Sequence, residues 1–328
     1  MEQQSRDSLD EDVDYRSAWS LASTHTDLVY EYGRRFPNYR YGSQPFARGD
    51  ELASRNERVL HLLMLHLYDN KLYTAPIEDL RNVLDVRCGM HGLWARNMAD
   101  LFPEAQVTGF DQFIPDTEGR ENLSFILQSY NDSWILDEIT EVHGKLDFVY
   151  ARGLMAGSQN YPEFYKQCFE HLKPGGYLEE TEVVPYCSCD DGVYREDSAV
   201  RAVCNLRPAL ERAMGRDYNL ATNMKRLIEE AGFVEVQERI DKVPWSPWPN
   251  PATDLKGHES GRIFQRYYES GIQGWILQPC IRHMNMTADQ VNDMCEKAIN
   301  ELAQLDEHWY SPCITITARK PFSNTNQT

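Results

Sequence analysis

The residues best suited to chemistry lie in one short segment, VLDVRCGMHG at 83–92. An apolar run contains an acid, Asp85, and two glycines follow at Gly89 and Gly92. Glycines between a strand and a helix let backbone amides approach an anionic or polar ligand closely. A second acid, Asp111, stands nineteen residues past Gly92, about the spacing at which an acid meets ribose hydroxyls. The segment therefore predicts a loop that binds a nucleotide-like cofactor.

Arg87 departs from the usual form of such a loop, because it stands where the first glycine is normally found. A long side chain there either fills cofactor volume or must turn away from it. On one interpretation its planar guanidinium pairs with a carboxylate of the cofactor; on the other, the site has lost its cofactor and serves another purpose. His91 also lengthens the loop by one residue between the two glycines. Since the acids and glycines keep the positions that the fold requires, we favour binding that is retained or weakened.

Such a loop works at the edge of a parallel sheet, and the sequence after residue 82 predicts one. Short apolar runs alternate with helical patterns there, as expected when parallel strands need long crossover connections. The fold class is therefore α/β, with a doubly wound, Rossmann-like sheet. The predicted strands are NVLDV, AQVTGF, LSFIL, KLDFVYA, GGYLEETEV, VEVQERI and, as an edge or antiparallel strand, PCITITARKP.

Helical segments flank this core. Residues 51–68 repeat apolar side chains at helical spacing, which indicates an amphipathic helix ahead of the first strand. About seventy residues before the last strand, including PWSPWPNP at 244–251, are too long for a simple connection and indicate a cap over the open end of the sheet. The predicted segments are an acidic disordered tail (1–20), an N-terminal helical lid (21–80), the core (81–186), a helical cap segment (187–217), the continued core (218–240), a helical substrate cap (241–311), the last core strand (312–321) and a disordered end (322–328).

The overall charge argues against one class of partner. With 51 acidic against 33 basic side chains, the 328-residue chain has a formal net charge of −18. Affinity for nucleic acid comes mostly from Lys and Arg, so neither nucleic acid nor an anionic membrane is an expected partner. No run is apolar for long enough to span a bilayer.

The eight cysteines indicate a reducing compartment, because they form no CxxC pair and the chain is not a short disulfide framework. No basic and then apolar leader is present, so the cytoplasm is the expected location, with the nucleus as an alternative. The segment CSC at 187–189 lacks a partner pair at metal-binding spacing, and no metal site is predicted.

Several motifs resemble those of known methyltransferases. VLDVRCGMHG, VTGFDQ and HLKPGGYLEETE resemble motifs of class I enzymes that use S-adenosylmethionine. YEYGRRFPNYRYG, YTAPIED, RGLMAGS, AGFVEV and PWSPWP, in this order, resemble the fungal LaeA-like methyltransferases from about Tyr30 to Pro321. The resemblance implies a class I methyltransferase sheet and S-adenosylmethionine as cofactor.

The resemblance also implies roles for individual residues. It places Asp85 and the loop near the methionine portion of the cofactor and Asp111 on the ribose. Gln128 and Ser129 stand where the family commonly shows an acidic pair, which weakens the adenine contact. The cofactor-binding residues implied are Asp85, Arg87, Cys88, Gly89, Gly92, Asp111, Gln112, Ser129 and Tyr130.

Methyl transfer needs an oriented nucleophile and a dry pocket more than a dedicated catalytic group. Arg152 matches an arginine common in the family and is predicted near the reacting centre; its alternative is an ion pair at the sheet edge. His258 is the predicted base among the histidines, each of which is more often structural. Trp245, Trp248 and Tyr41 are predicted around the substrate, and packing of the cap or a surface turn is their alternative role.

Three functions follow as hypotheses. The first is methyl transfer to a small secondary metabolite, with methylation of a regulatory protein as a lesser possibility. The second is a cyclase or isomerase that keeps the fold and its capped pocket without methylating. The third is a non-enzymatic subunit of a regulatory complex, which the resemblance suggests and an acidic surface permits.

Overall fold

A computed structural model describes residues 28–38, 46–136, 145–158, 160–184, 186–192 and 195–322. The predicted acidic tail and Tyr41 lie outside the described residues. The strands are β1 (Leu28–Glu31), β2 (Arg34–Pro37), β3 (Asn82–Val86), β4 (Gln106–Asp111), β5 (Leu123–Leu127), β6 (Leu146–Arg152), β7 (Leu172–Val183), β8 (Ser188–Cys189), β9 (Val234–Pro244) and β10 (Trp309–Arg319). The helices are α1 (Glu51–Leu67), α2 (Leu93–Leu101), α3 (Tyr161–His171), α4 (Ala199–Cys204), α5 (Arg207–Met214), α6 (Leu220–Glu230), α7 (Leu255–Met284) and α8 (Ala288–Gln304).

The central sheet is mainly parallel. Its strands lie in the order β5-β4-β3-β6-β7-β10, and β9 pairs with the other side of β10. The five strands from β3 to β7 pair in parallel, whereas β10 runs antiparallel to both β7 and β9. This is the predicted α/β, Rossmann-like fold. The last strand is antiparallel but is not an edge strand, because β9 lies outside it.

The two faces of the sheet pack against different helices, because successive strand side chains point to opposite faces. Val83 and Tyr150 pack with α2, whose Trp94 ring stacks on that of Tyr150 with centroids 4.0 Å apart. Leu84 and Val149 belong to the core formed with α3 and α6. The strands are therefore buried on both faces, which is why they appear as continuous apolar runs in the sequence.

A second core joins the lid to the cap. Helix α1, predicted over 51–68, packs against α7, and its Leu63 and Met64 lie in one apolar cluster with Trp245 and Tyr268. The lid also contains the β1–β2 hairpin, which the helical prediction missed. Among the helices of the described ranges, none is long and apolar enough to cross a membrane.

Candidate active site

A cavity of about 210 Å³ lies where the sheet edge at β6 and β7 meets α1 and the cap. Its walls are mostly apolar and aromatic. Arg87, Arg152 and Glu182 line it at the sheet edge, and Arg48 and Glu57 line it on the lid side. An apolar pocket with a few polar groups is typical of sites for small organic molecules, so this cavity is the candidate active site.

The loop after β3 has a left-handed backbone at three residues. The φ angles are 60° at Arg87, 82° at Gly89 and 55° at Gly92. Glycine adopts such angles freely, whereas a left-handed backbone costs other residues about 1–2 kcal/mol of conformational free energy. A Cβ at Gly92 would also lie only 2.4 Å from the Phe125 ring. The geometry therefore requires glycine at Gly92 and strains Arg87.

Substitution of Arg87 tests this strain. We expect Arg87→Gly to have a free energy of unfolding about 1 kcal/mol higher than Arg87→Ala, because both remove the guanidinium and only alanine keeps the left-handed penalty. Urea unfolding followed by circular dichroism measures the difference. Equal stabilities, or a more stable alanine variant, would mean that the backbone at this residue is not strained.

Asp111, at the end of β4, is surrounded by donors of its own chain. Arg48 donates two hydrogen bonds to its carboxylate, at 3.0 and 2.6 Å. The backbone amides of Gly89 and Gln112 donate two more, at 2.8 and 2.6 Å. Burial alone would raise the pKa of Asp111, but the Arg48 guanidinium outweighs it and holds this pKa below its usual range. The carboxylate predicted to bind a ribose is thus ionised and already paired.

Three polar side chains of α1 also contact the site. Ser54, Glu57 and His61 lie three and four residues apart, which places them on one helical face; we call them the polar stripe. Oγ of Ser54 lies 2.7 Å from Nε2 of His91. The backbone amide of Met90 donates to the Glu57 carboxylate at 3.0 Å. A carboxylate of the chain itself therefore binds an amide of the predicted cofactor loop.

His61 of the polar stripe contacts Arg152 at the end of β6. Its Nδ1 lies 3.2 Å from Nη1 of Arg152, and its Nε2 lies 2.9 Å from the side-chain amide of Asn97. Because a guanidinium only donates, Nδ1 of the neutral ring accepts from Arg152. Burial, and then repulsion by Arg152, lowers the pKa of His61 to about 3. His61 is therefore a neutral positioning residue for Arg152.

Arg87 and Arg152 both line the cavity at the sheet edge. Nη1 of Arg87 lies 3.5 Å from the carbonyl oxygen of Arg152, and its Nε is buried without a hydrogen-bond partner among the described residues. In the same part of the chain, neither arginine has a carboxylate oxygen within 4.0 Å. Burial raises the pKa of the Tyr267 hydroxyl, whereas the positive charges of Arg87 and Arg152 lower the same pKa. Tyr267 of α7 therefore lies within electrostatic reach of both.

Four buried carboxyl groups in and around the site have raised pKa values. Burial raises those of Asp85 and Glu179 to about 7, and those of Glu180 and Glu182 also lie above their usual range because of burial. In the unfolded chain such groups ionise near pH 4. Above that pH the folded state therefore binds more protons than the unfolded state. For each group, the free energy of unfolding then falls by about 1.4 kcal/mol per pH unit until the pH reaches the pKa of the folded state.

Stability should consequently fall as the pH rises. We expect the free energy of unfolding to decrease by at least about 2 kcal/mol from pH 6.5 to pH 8. His61 has the opposite effect, but only below about pH 6.5, where its unfolded form gains a proton. Urea unfolding at the two pH values measures the change, and Asp85→Asn should make it smaller. A stability that is constant or increases over this range would contradict the prediction.

Two predicted site residues lie elsewhere. Trp245 lines the cavity, but Trp248 does not; its Nε1 donates to the carbonyl of Trp309 at 2.9 Å, so it packs the cap onto β10. Nδ1 of His258 lies 2.9 Å from the carbonyl oxygen of Pro249, and His258 does not line the cavity. The structure therefore places both side chains outside this cavity, in contacts that hold local structure around the start of α7.

The predicted adenine side is also held by internal contacts. Oγ of Ser129 accepts a hydrogen bond from the amide of Asn131 at 3.3 Å. The Tyr130 hydroxyl donates to the carbonyl of Leu154 at 3.4 Å. Cys88, Gln112, Ser129 and Tyr130 are all buried, and the cavity does not reach them. These contacts fix the connection after β5 against β6.

The predicted cofactor-binding groups are of the kinds that S-adenosylmethionine needs, but other side chains of the protein already bind them. Asp111 has two carboxylate oxygens for a ribose, and the loop has amides for a carboxylate. Arg48 takes both oxygens of Asp111, Glu57 accepts from the loop, and the cavity does not border Asp111. The cofactor would therefore have to displace Arg48 from Asp111 and Glu57 from the loop.

Sequence reasoning missed Arg48 and the polar stripe. The stripe had a readable signal, since Ser54, Glu57 and His61 interrupt the apolar face of an otherwise amphipathic helix at helical spacing. Arg48 had none, because it reaches Asp111 from sixty-three residues away in the chain.

No group of three or more His, Cys, Asp or Glu within the described ranges is placed to hold a metal ion. In the CSC segment, Sγ of Cys187 lies 2.6 Å from that of Cys204, and Cys189 donates to Asp191 at 3.2 Å. These cysteines therefore contact other side chains of the cap.

Comparison with known proteins gives consistent results. Residues 55–238 match a family model described as a methyltransferase domain. The chain is 27% identical to methyltransferase pytC of Aspergillus terreus, over 96% of this chain and 94% of pytC. It is 29% identical to the secondary metabolism regulator LAE1 of Cochliobolus heterostrophus, over 89% of this chain and 94% of LAE1. A solved structure, Haemonchus contortus phosphoethanolamine N-methyltransferase 2 with S-adenosyl-L-methionine, aligns with 95% of this chain and 75% of its own at 13% identity and a TM-score of 0.49.

Proposed function

Because this chain belongs to the methyltransferase-domain family, as its matching family model shows, we propose that it transfers a methyl group from S-adenosylmethionine to a small organic acceptor of secondary metabolism. The observation that carries the proposal is the aromatic cavity, which meets the sheet edge beside the glycine loop. The similarity to methyltransferase pytC supports the same class of activity. The similarity to LAE1, a secondary metabolism regulator, suggests that the acceptor belongs to secondary metabolism.

Different residues of this chain would bind the ribose, the methionine portion of the cofactor and the acceptor. Asp111 would hold the ribose, and the amides of Gly89 and Met90 would face the methionine portion, after Arg48 and Glu57 have turned away. The cofactor supplies an electrophilic methyl group when bound. The cavity walls hold the acceptor and exclude water, so proximity supplies much of the rate. No side chain on the cavity is assigned as a base, which favours an acceptor atom that is already deprotonated or readily loses its proton.

Radiolabelled methyl transfer tests the proposal. We expect label from S-adenosylmethionine to enter an organic-soluble product when the protein is incubated with a small-molecule extract of a filamentous fungus. Asp111→Asn should abolish the transfer. Asp147→Asn is the matched control, because Asp147 is also buried and accepts two backbone amides, both at 2.7 Å, but at the opposite edge of the sheet. Label found only in protein, or in no fraction, would refute small-molecule methylation.

One observation favours a second candidate, a cyclase or isomerase that uses the cavity without methylating. Arg48 pairs with both oxygens of Asp111, and this buried pair closes the ribose position. If the pair never opens, the cavity remains a site for a reactive small molecule. Conversion of an unlabelled substrate without S-adenosylmethionine would support this candidate over the first. A regulatory subunit, in turn, would co-purify with a protein partner.

A further inference from the structure

We propose that the acceptor is an aromatic carboxylic acid whose carboxylate lies between Arg87 and Arg152. The inference rests on the proposed function only in calling this molecule the acceptor; binding of the acid in the cavity stands independently. The whole chain carries a net charge of −18, so two cations at one end of a small cavity are not a general property of its surface.

The other arginines that line the lid side of the cavity already have carboxylate partners. Nε of Arg34 lies 2.6 Å from the Asp50 carboxylate, and Arg48 is paired with Asp111. Arg87 and Arg152 differ, since no carboxylate oxygen of the described residues lies within 4.0 Å of either. Arg207, on the cap side of the cavity, also has no such carboxylate, but its guanidinium donates to Oδ1 of Asn219. Arg87 and Arg152 are therefore the two cations at the sheet edge that an anionic ligand would neutralise.

The acids nearest to this end act on the two cations only at a distance, Asp111 and Glu182 on Arg87 and Asp85 on Arg152. Glu182 lines the cavity, but its carboxylate accepts hydrogen bonds from the backbone amides of Leu154 and Met155. Asp85 is buried behind the sheet edge and does not line the cavity. Cations in an apolar pocket without a carboxylate partner are costly, and a bound anion removes this cost.

The chemistry of the site selects a carboxylate on a flat ring. Guanidinium groups bind planar carboxylates through paired hydrogen bonds, and Nε of Arg87 has no partner within the described chain. Aromatic side chains line the cavity among aliphatic ones: Trp245 lies 4.9 Å from Tyr268, and Tyr267 lies 5.0 Å from Trp275, between ring centroids. Such rings stack on a flat ring system.

A carboxylate could also come from the methionine portion of the cofactor. The acceptor is favoured because both guanidiniums line the aromatic cavity, which does not reach Asp111 on the ribose side. The experiment below separates the two sources.

Binding of 2-naphthoic acid, its methyl ester and S-adenosylhomocysteine is measured by calorimetry on the full chain. We expect wild type to bind the acid at least about tenfold more tightly than the ester, equivalent to about 1.4 kcal/mol. Arg87→Gln and Arg152→Gln should each lose this preference. Arg239→Gln is the control, because Arg239 pairs with Asp241 away from the cavity. Thermal unfolding checks that each variant is folded. The ratio of the two affinities of wild type, for the acid and for the ester, tests the inference even if a variant does not fold.

The outcomes are distinct. An acid that binds no better than its ester overturns the inference. So does a loss of S-adenosylhomocysteine binding in both variants with the acid preference unchanged, because the arginines would then serve the cofactor. Tight binding of the acid by a wild type that takes up no S-adenosylhomocysteine would sustain this inference while the proposed methyl transfer fails.

Discussion

Arg48→Gln should bind S-adenosylhomocysteine at least about tenfold more tightly than wild type. In the wild type, a ribose must displace Arg48 from both oxygens of Asp111, which lie 3.0 and 2.6 Å from its guanidinium nitrogens. A glutamine at this position cannot form the same charged, two-pronged pair, so Asp111 becomes available. Isothermal titration calorimetry gives the two dissociation constants.

The same substitution should also destabilise the ligand-free protein. Removing one partner of a buried ion pair leaves the other charge uncompensated, at a cost of about 3–5 kcal/mol. Arg34→Gln is the matched control: Arg34 pairs with both oxygens of Asp50 nearby in the lid, so its loss should cost stability without tightening the ligand. Arg48→Lys, which keeps the charge, should show a smaller gain if the glutamine variant does not fold. Unchanged or weaker binding by Arg48→Gln would show that Arg48 does not compete with the ribose.

Removal of both partners should restore part of the lost stability. Asp111→Asn leaves the Arg48 guanidinium buried without a carboxylate, and we expect its free energy of unfolding to fall by about 3–5 kcal/mol. The double variant Arg48→Gln/Asp111→Asn should be more stable than Asp111→Asn alone, because no charge is then left unpaired. A double-mutant cycle by urea unfolding yields the coupling energy, which we expect to exceed about 2 kcal/mol. A coupling near zero would mean that the pair is exposed to water in solution.

The fold could be predicted because its signals are local. Each parallel strand is buried on both faces, so Val83 and Leu84 both had to be apolar and the run NVLDV was recognisable. The position of β10 in the sheet was harder to predict from the sequence. Nothing in the pattern of 309–319 tells whether β9 pairs beside it or elsewhere, and strand order depends on contacts between distant parts of the chain.

The candidate site was predicted in part for the same reason. Asp85, Asp111 and the glycines follow a strand-turn-helix pattern, which fixes them at the sheet edge. The sequence also identified Arg87 as a departure from the usual loop, but it related this residue to the cofactor loop alone. The groups that engage the loop and Asp111 are Glu57 and Arg48, which precede the first core strand. His258 was chosen by residue type, whereas His61, which contacts Arg152, was hidden in an apolar helical face.

The place of β10 between β7 and β9 has a consequence for biosynthesis. Strand β9 pairs only with β10 in the described part of the chain, and β10 comes later than both of its neighbours. While the ribosome is still adding residues 309–319, the nascent sheet ends at β7, and the backbone of β9 has no neighbour there. Completion of this edge must therefore follow synthesis of the last strand, and until then β7 pairs only with β6 and has one open edge that chaperones would need to shield.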